Sequence, residues 1–540
     1  MSKAKNRQKI KINAALTART QFLDKTAEIF FILVLAVFPL YLNSEKYVGL
    51  TSHKAKFFWI ICGLTLLAVI CSVLTTRPGS WSHLKDLRLS AADWAILAFW
   101  LFTTLSALAS PNQNLVWFGA DQRNSGWITT TCYVMAYFLI SRCYVPRERD
   151  MLIFAGGSII LCAIGILQFY GIDPFSLFPY DRFVNANGTS QYTSYTIFFR
   201  TTLGNVDVVS AYVSMALLFF GALYVQGKNA GRFIYLAAAI LNFWLMLMAG
   251  ADSGKVAVTA VMILLLPYWL ASRRSLGRTL VLASCWGVSY CLFCISALVI
   301  GARLASAGPV PDFFAQFSGG SYVPLLLGFI VLALLGAALM IWGERLPFQF
   351  SPRAAKIVGV AVLVLTLLTG ILGVEILGAR YGDQPQHVLY QAREVLHGRP
   401  DDDFGTGRVF VWRSSLSVVG EHPLLGTGPD TFDIAFTPFQ AETQQRYNLV
   451  FDKAHNDYIQ ILVCCGVPAL AAYLVLLLCA FIPAVGKAFD SPFLFAALGA
   501  GLSYGVQSFF GVDVPIATPL FWLILGLAAQ ASHSVKRDFD

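Results

Sequence analysis

Apolar runs long enough to cross a bilayer recur along this chain from end to end, and they limit its fold more than any other feature. A hydrocarbon core of about 30 Å needs roughly 20 apolar residues in a helix. Such runs occur at 27–43, 57–75, 92–110, 127–142, 150–170, 205–226, 233–250, 256–272, 279–300, 323–342, 357–377, 457–484, 492–512 and 516–531. The pattern predicts an all-α, polytopic transmembrane helix bundle of about fourteen spans. Charge agrees: 13% of the residues are charged, against roughly 25% in soluble proteins.

The runs divide the chain into a basic tail at 1–26, eleven helices within 27–377, one long hydrophilic loop at 378–456, three helices within 457–531 and a short tail at 532–540. The first run lacks a small-residue cleavage site and reads as an uncleaved span. Lys and Arg of connecting segments are retained on the cytoplasmic side. Arg77, Lys85, Arg88, Arg142, Arg147, Arg149, Lys228, Arg232, Arg273, Arg274, Arg278, Arg345, Arg353 and Lys356 fall on the side of the amino terminus. Both termini are therefore expected in the cytoplasm, and 43–56, 111–126, 171–204, 301–322 and 378–456 outside.

The net charge of +9 is spread over tails and short loops, which excludes the clustered basic face of a nucleic-acid binder. The eleven cysteines lie in or beside apolar runs and none is in the long loop. They read as small hydrophobes, with no disulfide framework and no zinc site.

Chemistry is expected in the long loop. His455 stands where that loop becomes a helix, and an imidazole exchanges protons near neutral pH. Asp452 and Asp457 are near enough in sequence to orient it, and Asn456 suits a helix cap or a substrate hydroxyl. Taken alone, the histidine reads better as a capping or surface residue. Arg123, Arg200, Lys255, Arg408 and Arg413 are outward cations at helix ends. Arginine forks match phosphate oxygens, and several converging on one point hold a diphosphate. Each singly reads better as a snorkelling side chain or a local ion pair, and their value lies in their number.

Within the loop, 384–396 and 406–419 read as helices. In the second, Val409, Trp412, Leu416 and Val419 form a stripe expected to lie on the bilayer interface or on the membrane domain, with Arg408 one turn before Trp412. Gly426 and Gly428, in Leu425-Gly426-Thr427-Gly428-Pro429, form a turn without the Lys-Ser/Thr of a P-loop. A structural turn joining two loop helices is the expectation. Asp401 to Asp403 read as a solvated turn rather than a metal site.

These residues carry a resemblance. Trp117-Phe118-Gly119 with Arg123 and Gly126, Arg200 with Thr202-Leu203-Gly204-Asn205, Gly407-Arg408 with Trp412, His422-Pro423-Leu424-Leu425-Gly426-Thr427-Gly428, and His455-Asn456 with Gly466 make the chain similar to the O-antigen ligase and O-antigen polymerase superfamily of bacterial membrane glycosyltransferases. The resemblance implies a cell-membrane enzyme that needs no cofactor or metal. It implies transfer of a glycan, with inversion, from an undecaprenyl diphosphate carrier to an acceptor hydroxyl on the outer face. The acceptor is a glycan, a lipid or a protein, so ligase, polymerase and protein O-oligosaccharyltransferase all remain open. The resemblance implies His455 as the essential histidine and Arg408 and Arg200 as donor-binding arginines. Relatives often have Ser-Arg-Gly where this chain has Ser253-Gly254-Lys255, which leaves the role of Lys255 open.

Two readings from other classes compete. A transporter shares the many helices but usually carries ionisable residues inside its spans. A non-catalytic scaffold would make His455 dispensable.

Overall fold

A computed structural model describes residues 21–45, 47–74, 88–170, 172, 201–305, 322–342, 352–380 and 388–532. Arg200, both tails beyond these limits and the expected helix start at 384–387 lie outside the described residues. Among the described residues the regular structure is helical throughout.

Helix α1 covers 21–32 and ends in a π turn, Leu33–Val37, and a 3-10 turn, Phe38–Leu40. There follow α2 (Leu50–Leu74), α3 (Ala91–Ala109), α4 (Trp127–Arg142), α5 (Glu148–Phe169), α6 (Val206–Gln226), α7 (Arg232–Ala249), α8 (Asp252–Leu264), α9 (Leu266–Trp269), α10 (Arg273–Ala305), α11 (Tyr322–Trp342) and α12 (Pro352–Ala379). The long loop holds α13 (Val388–Leu396), α14 (Phe404–Glu421) and α15 (Phe432–Tyr447). The chain then re-enters the bundle with α16 (Asp457–Lys487), α17 (Pro492–Gln507) and α18 (Thr518–Ala529).

Every one of the fourteen runs coincides with helix, and among the described residues nine helices are long and apolar enough to span a membrane. The other five fall short. The run expected at 256–272 breaks into α8 and α9 at Leu265, just before Pro267, whose ring cannot continue the helical hydrogen-bond ladder. Helix α18 has 12 residues, all buried, and rises only about 18 Å. Apolarity there reflects burial in protein, not contact with lipid.

Helix α6 is the centre of the bundle, with its whole apolar window buried. At the rim, α11 and α12 keep almost none of their windows buried and present apolar side chains outward. Several polar groups inside the bundle are paired, as a low-dielectric interior favours. Ser90 and Asp93 form a capping box on α3, and Arg142 of α4 pairs with the buried Asp93. Where α1 stops, Lys54 of α2 donates to the carbonyls of Phe38 and Pro39, both at 3.1 Å, and Thr202 donates to Pro39 at 2.7 Å. Carbonyls freed by a helix end inside the bundle are thereby satisfied, and the turn before α6 is held against α1.

Candidate active site

His455 occupies the left-handed region, at φ +49°, a conformation uncommon outside glycine but more frequent for histidine, asparagine and aspartate. The flanking backbone is fixed from three helices. Asn456 caps α16, its side chain accepting from Tyr458 and Ile459 N–H at 3.0 and 3.1 Å. Ala454 N–H donates to Gln460 at 2.9 Å, and the Trp412 indole donates to the Ala454 carbonyl at 2.9 Å. The Asp457 N–H donates to the Ser508 carbonyl, beyond α17. Only the half-buried imidazole is left to act, edge-on to Phe451 at 5.8 Å.

The Nδ1 atom of His455 is enclosed and has no hydrogen-bond partner among the described residues. Its two sequence neighbours do not orient it: Asp452 accepts from the Arg123 guanidinium, with Nε at 2.6 Å, and Asp457 lines a cavity in the bundle. Burial holds the imidazole below its usual pKa, and the Arg408 guanidinium adds to this, with Asp207 and Asp452 opposing and Arg123 assisting. The neutral, proton-accepting form is favoured. Asp207, in the first turn of α6, was not legible as a neighbour because 248 positions of chain separate it from His455.

The expected cations fall into different settings. Arg408, half-buried near the start of α14, has no carboxylate partner among the described residues. Gly407 beside it lies against Tyr447, where a Cβ would stand 2.7 Å from the ring. Arg413 points away to Asp402 at 2.9 Å and is well exposed, and Lys255 pairs locally with Asp252 at 2.9 Å. Arg408 and Arg123 thus share the field around His455, Arg123 while paired with Asp452, whereas Arg413 and Lys255 pair with carboxylates elsewhere. The acidic run is likewise tied up, with Tyr447 donating to Asp403 at 3.1 Å.

Of the expected stripe on α14, Val409 is buried and Val419 packs partly buried against the core. Val411, Ser415 and Val418 are buried as well, while Leu416 is 56% exposed. Trp412 is packed edge-on to Phe509 at 5.2 Å.

The glycine turn has a structural use. Helix α16 is broken at Gly466 (φ 84°, ψ 174°), with Pro468 just beyond, so carbonyls of the first half lose their partners. Thr427 and Gly428 N–H donate to Val463 and Cys464 at 3.1 and 2.8 Å, Ser106 of α3 also donates to Cys464, and Val467 N–H donates to Pro423 at 2.9 Å. Amides that an anion would need are spent on the helix. Gly428, at φ +118°, has Ser110 Oγ 2.4 Å from where a Cβ would sit. Gly428→Ala is therefore expected to cost at least about 1–3 kcal/mol, read as a lower unfolding temperature of the detergent-solubilised protein.

One element escaped the sequence entirely. Lys453 and Asp430 form an ion pair at 2.6 Å with both side chains 2% exposed. The other Asp430 oxygen accepts from Ala120 and Ser125 N–H at 2.9 and 3.1 Å. Gly119 and Gly126 let the 117–126 turn close round it: a Cβ on Gly119 would stand 2.4 Å from that oxygen. Burial by itself would lower the Lys453 pKa, but Asp430 and Asp513 outweigh it and hold the ammonium charged. This pair ties the 117–126 turn to the His455 loop.

Residues 313–474 match a protein family described as O-Antigen ligase. The matched stretch contains Arg408, Trp412, Arg413, Gly426, Gly428, Asp452, His455, Asn456 and Asp457, and leaves out Arg123, Arg200 and Lys255. No curated protein matches the chain. Over that stretch, which holds the break in the helix, its glycine turn and the histidine loop, the chain is similar to the O-antigen ligase family.

Proposed function

We propose that this protein transfers a glycan from an undecaprenyl diphosphate carrier to an acceptor hydroxyl at the outer face of a bacterial cell membrane, without a metal. The observation that carries the reading is the pairing of an arginine free of carboxylate partners among the described residues with a half-buried histidine held neutral, at the end of a span. The acceptor oxygen attacks the sugar carbon from the side opposite the diphosphate, the bond to the carrier oxygen breaks, and the configuration inverts. His455 takes the acceptor proton through Nε2, because Nδ1 is enclosed. Arg408, with Arg123 and Arg200, offsets the charge that develops on the leaving diphosphate.

This reading requires the loop 378–456 outside and both termini in the cytoplasm. A cysteine placed at Ala441, exposed on α15, is expected to react with an impermeant thiol reagent added outside. Loss of the protein should leave the undecaprenyl-diphosphate-linked glycan to accumulate in the membrane. Labelling of Ala441→Cys from the cytoplasmic side only, or an unchanged lipid-linked pool, overturns the proposal. The acceptor separates the ligase, polymerase and protein-transferase forms of the reaction, and is read from which product fails to appear.

A further inference from the structure

A cavity of about 70 Å³ is walled by Tyr133, Asp430, Lys453, Asp457, Asp513 and Thr518, among others. The proposed transfer has no use for it. Its charges do not balance: three carboxylates face one ammonium, and Asp430 already holds that ammonium at 2.6 Å. Asp457 and Asp513 are left, each with Oδ1 enclosed and without a hydrogen-bond partner among the described residues. Tyr133 Oη, of a side chain 3% exposed, faces Asp513 and Thr518 in the same cavity without a close, well-aligned hydrogen bond to either.

Two enclosed carboxylates cannot both stay ionised without a positive charge between them. We propose that Asp457 and Asp513 bind one proton between them, and that this acid pair, with the Asp430–Lys453 ion pair, forms a proton-binding site that seats the His455 loop. A proton suits the site better than a metal ion. Lys453 already places a positive charge on the cavity wall, and no three His, Cys, Asp or Glu among the described residues cluster as metal ligands. One ordered water needs about 10–15 Å³, so the cavity has room for waters that link the pair to Tyr133.

The coupling to the loop is covalent and short. Lys453 and Asp457 stand two residues either side of His455, and Asp513 lies in the segment between α17 and α18. Loss of the shared proton leaves the cavity with one more negative charge, which draws Lys453 from Asp430 and unseats the loop. The other titratable groups on the wall are Tyr133 of α4, Cys464, Cys465 and Tyr473 of α16 and Tyr504 of α17. These phenols and thiols are uncharged in their protonated forms, leaving the carboxylates and Lys453 to set the balance.

Burial pushes the Asp513 carboxyl above its ordinary value, with Lys453 opposing. A carboxyl raised in the folded state stabilises the fold below its ordinary pKa, and that stability is lost as pH rises through the raised value. The unfolding temperature of the full-length protein in detergent is therefore expected to fall as pH rises from about 5 to about 9. Asp513→Asn, which mimics the protonated acid, should flatten that slope. In transfer assays, which rest on the proposed function, it should also remove the alkaline decline and leave the acid one. The thermal measurement stands whether or not the chain transfers glycans.

Asp457→Asn is the second variant, expected to flatten the same slope. If neither variant folds, infrared spectra of the wild-type protein decide: a protonated carboxyl band at neutral pH that disappears at high pH supports the pair, and its absence overturns it. A slope unchanged in both variants overturns the proposal. So does an unfolding temperature set by sodium concentration rather than pH.

Discussion

Replacing His455 by alanine is expected to remove glycan transfer, by roughly 10²–10⁴-fold or more, the range a positioned base contributes, while donor binding stays close to wild type. The backbone around it should survive the change, since the cap on α16 belongs to Asn456 and the peptide before it is held by Trp412 and Gln460. His455→Gln should do no better than alanine, because glutamine cannot take a proton. The pH profile adds a sharper test. An unperturbed imidazole titrates near ~6.5, but burial and the Arg408 charge lower this one. The neutral form therefore persists below that value, and the acid decline of kcat/KM should lie on its acid side. Substantial turnover by His455→Ala, or inhibition by a chelator reversed by a divalent ion, would sink the assignment.

The spans were legible because an apolar run long enough for a bilayer has few alternatives to a helix, and all fourteen coincide with one. Hydropathy could not separate helices facing lipid from helices buried in protein, so the short, wholly buried α18 and the break between α8 and α9 were read as full spans. On α14 the stripe was legible in Val409, which is buried, and Trp412, which packs on Phe509, whereas Ser415, at 0% exposed, gave no apolar signal of its place on the packed side.

In the site, His455 and Asn456 were legible because a helix start announces its cap. The Asp430–Lys453 pair was not: 23 residues separate its members, and charged loop residues default to water. What buries them is the 117–126 turn, whose two glycines were visible as a motif but without their use. The glycine turn was legible as a turn, but its place in the gap of α16 needed Gly466 and Pro468 to be read as a break in a membrane helix.

Arg408→Ala is expected to lower transfer by about 10²-fold or more, the usual consequence of removing a group that stabilises charge only in the transition state. Its setting separates this effect from misfolding. No carboxylate among the described residues depends on Arg408, so its loss should leave no buried charge unpaired, whereas Arg123→Ala would strand Asp452. Arg413 is an internal control: its exposed pair with Asp402 contributes about 0–1 kcal/mol at most, and Arg413→Ala should leave protein levels unchanged and cost less transfer than Arg408→Ala. Arg408→Lys should recover activity only in part, because an ammonium carries the charge but not the fork that grips two phosphate oxygens. Arg200→Ala is expected to resemble Arg408→Ala if both hold the diphosphate. A second signature belongs to Arg408 alone. Its charge helps keep His455 neutral, so its removal should move the acid decline of the remaining activity toward higher pH, and Arg408→Lys should move it back. Full activity of Arg408→Ala at normal protein levels would leave this arginine as a membrane anchor. An unmoved acid limb would separate it from the histidine, since two groups that share one field cannot lose one member without the other responding.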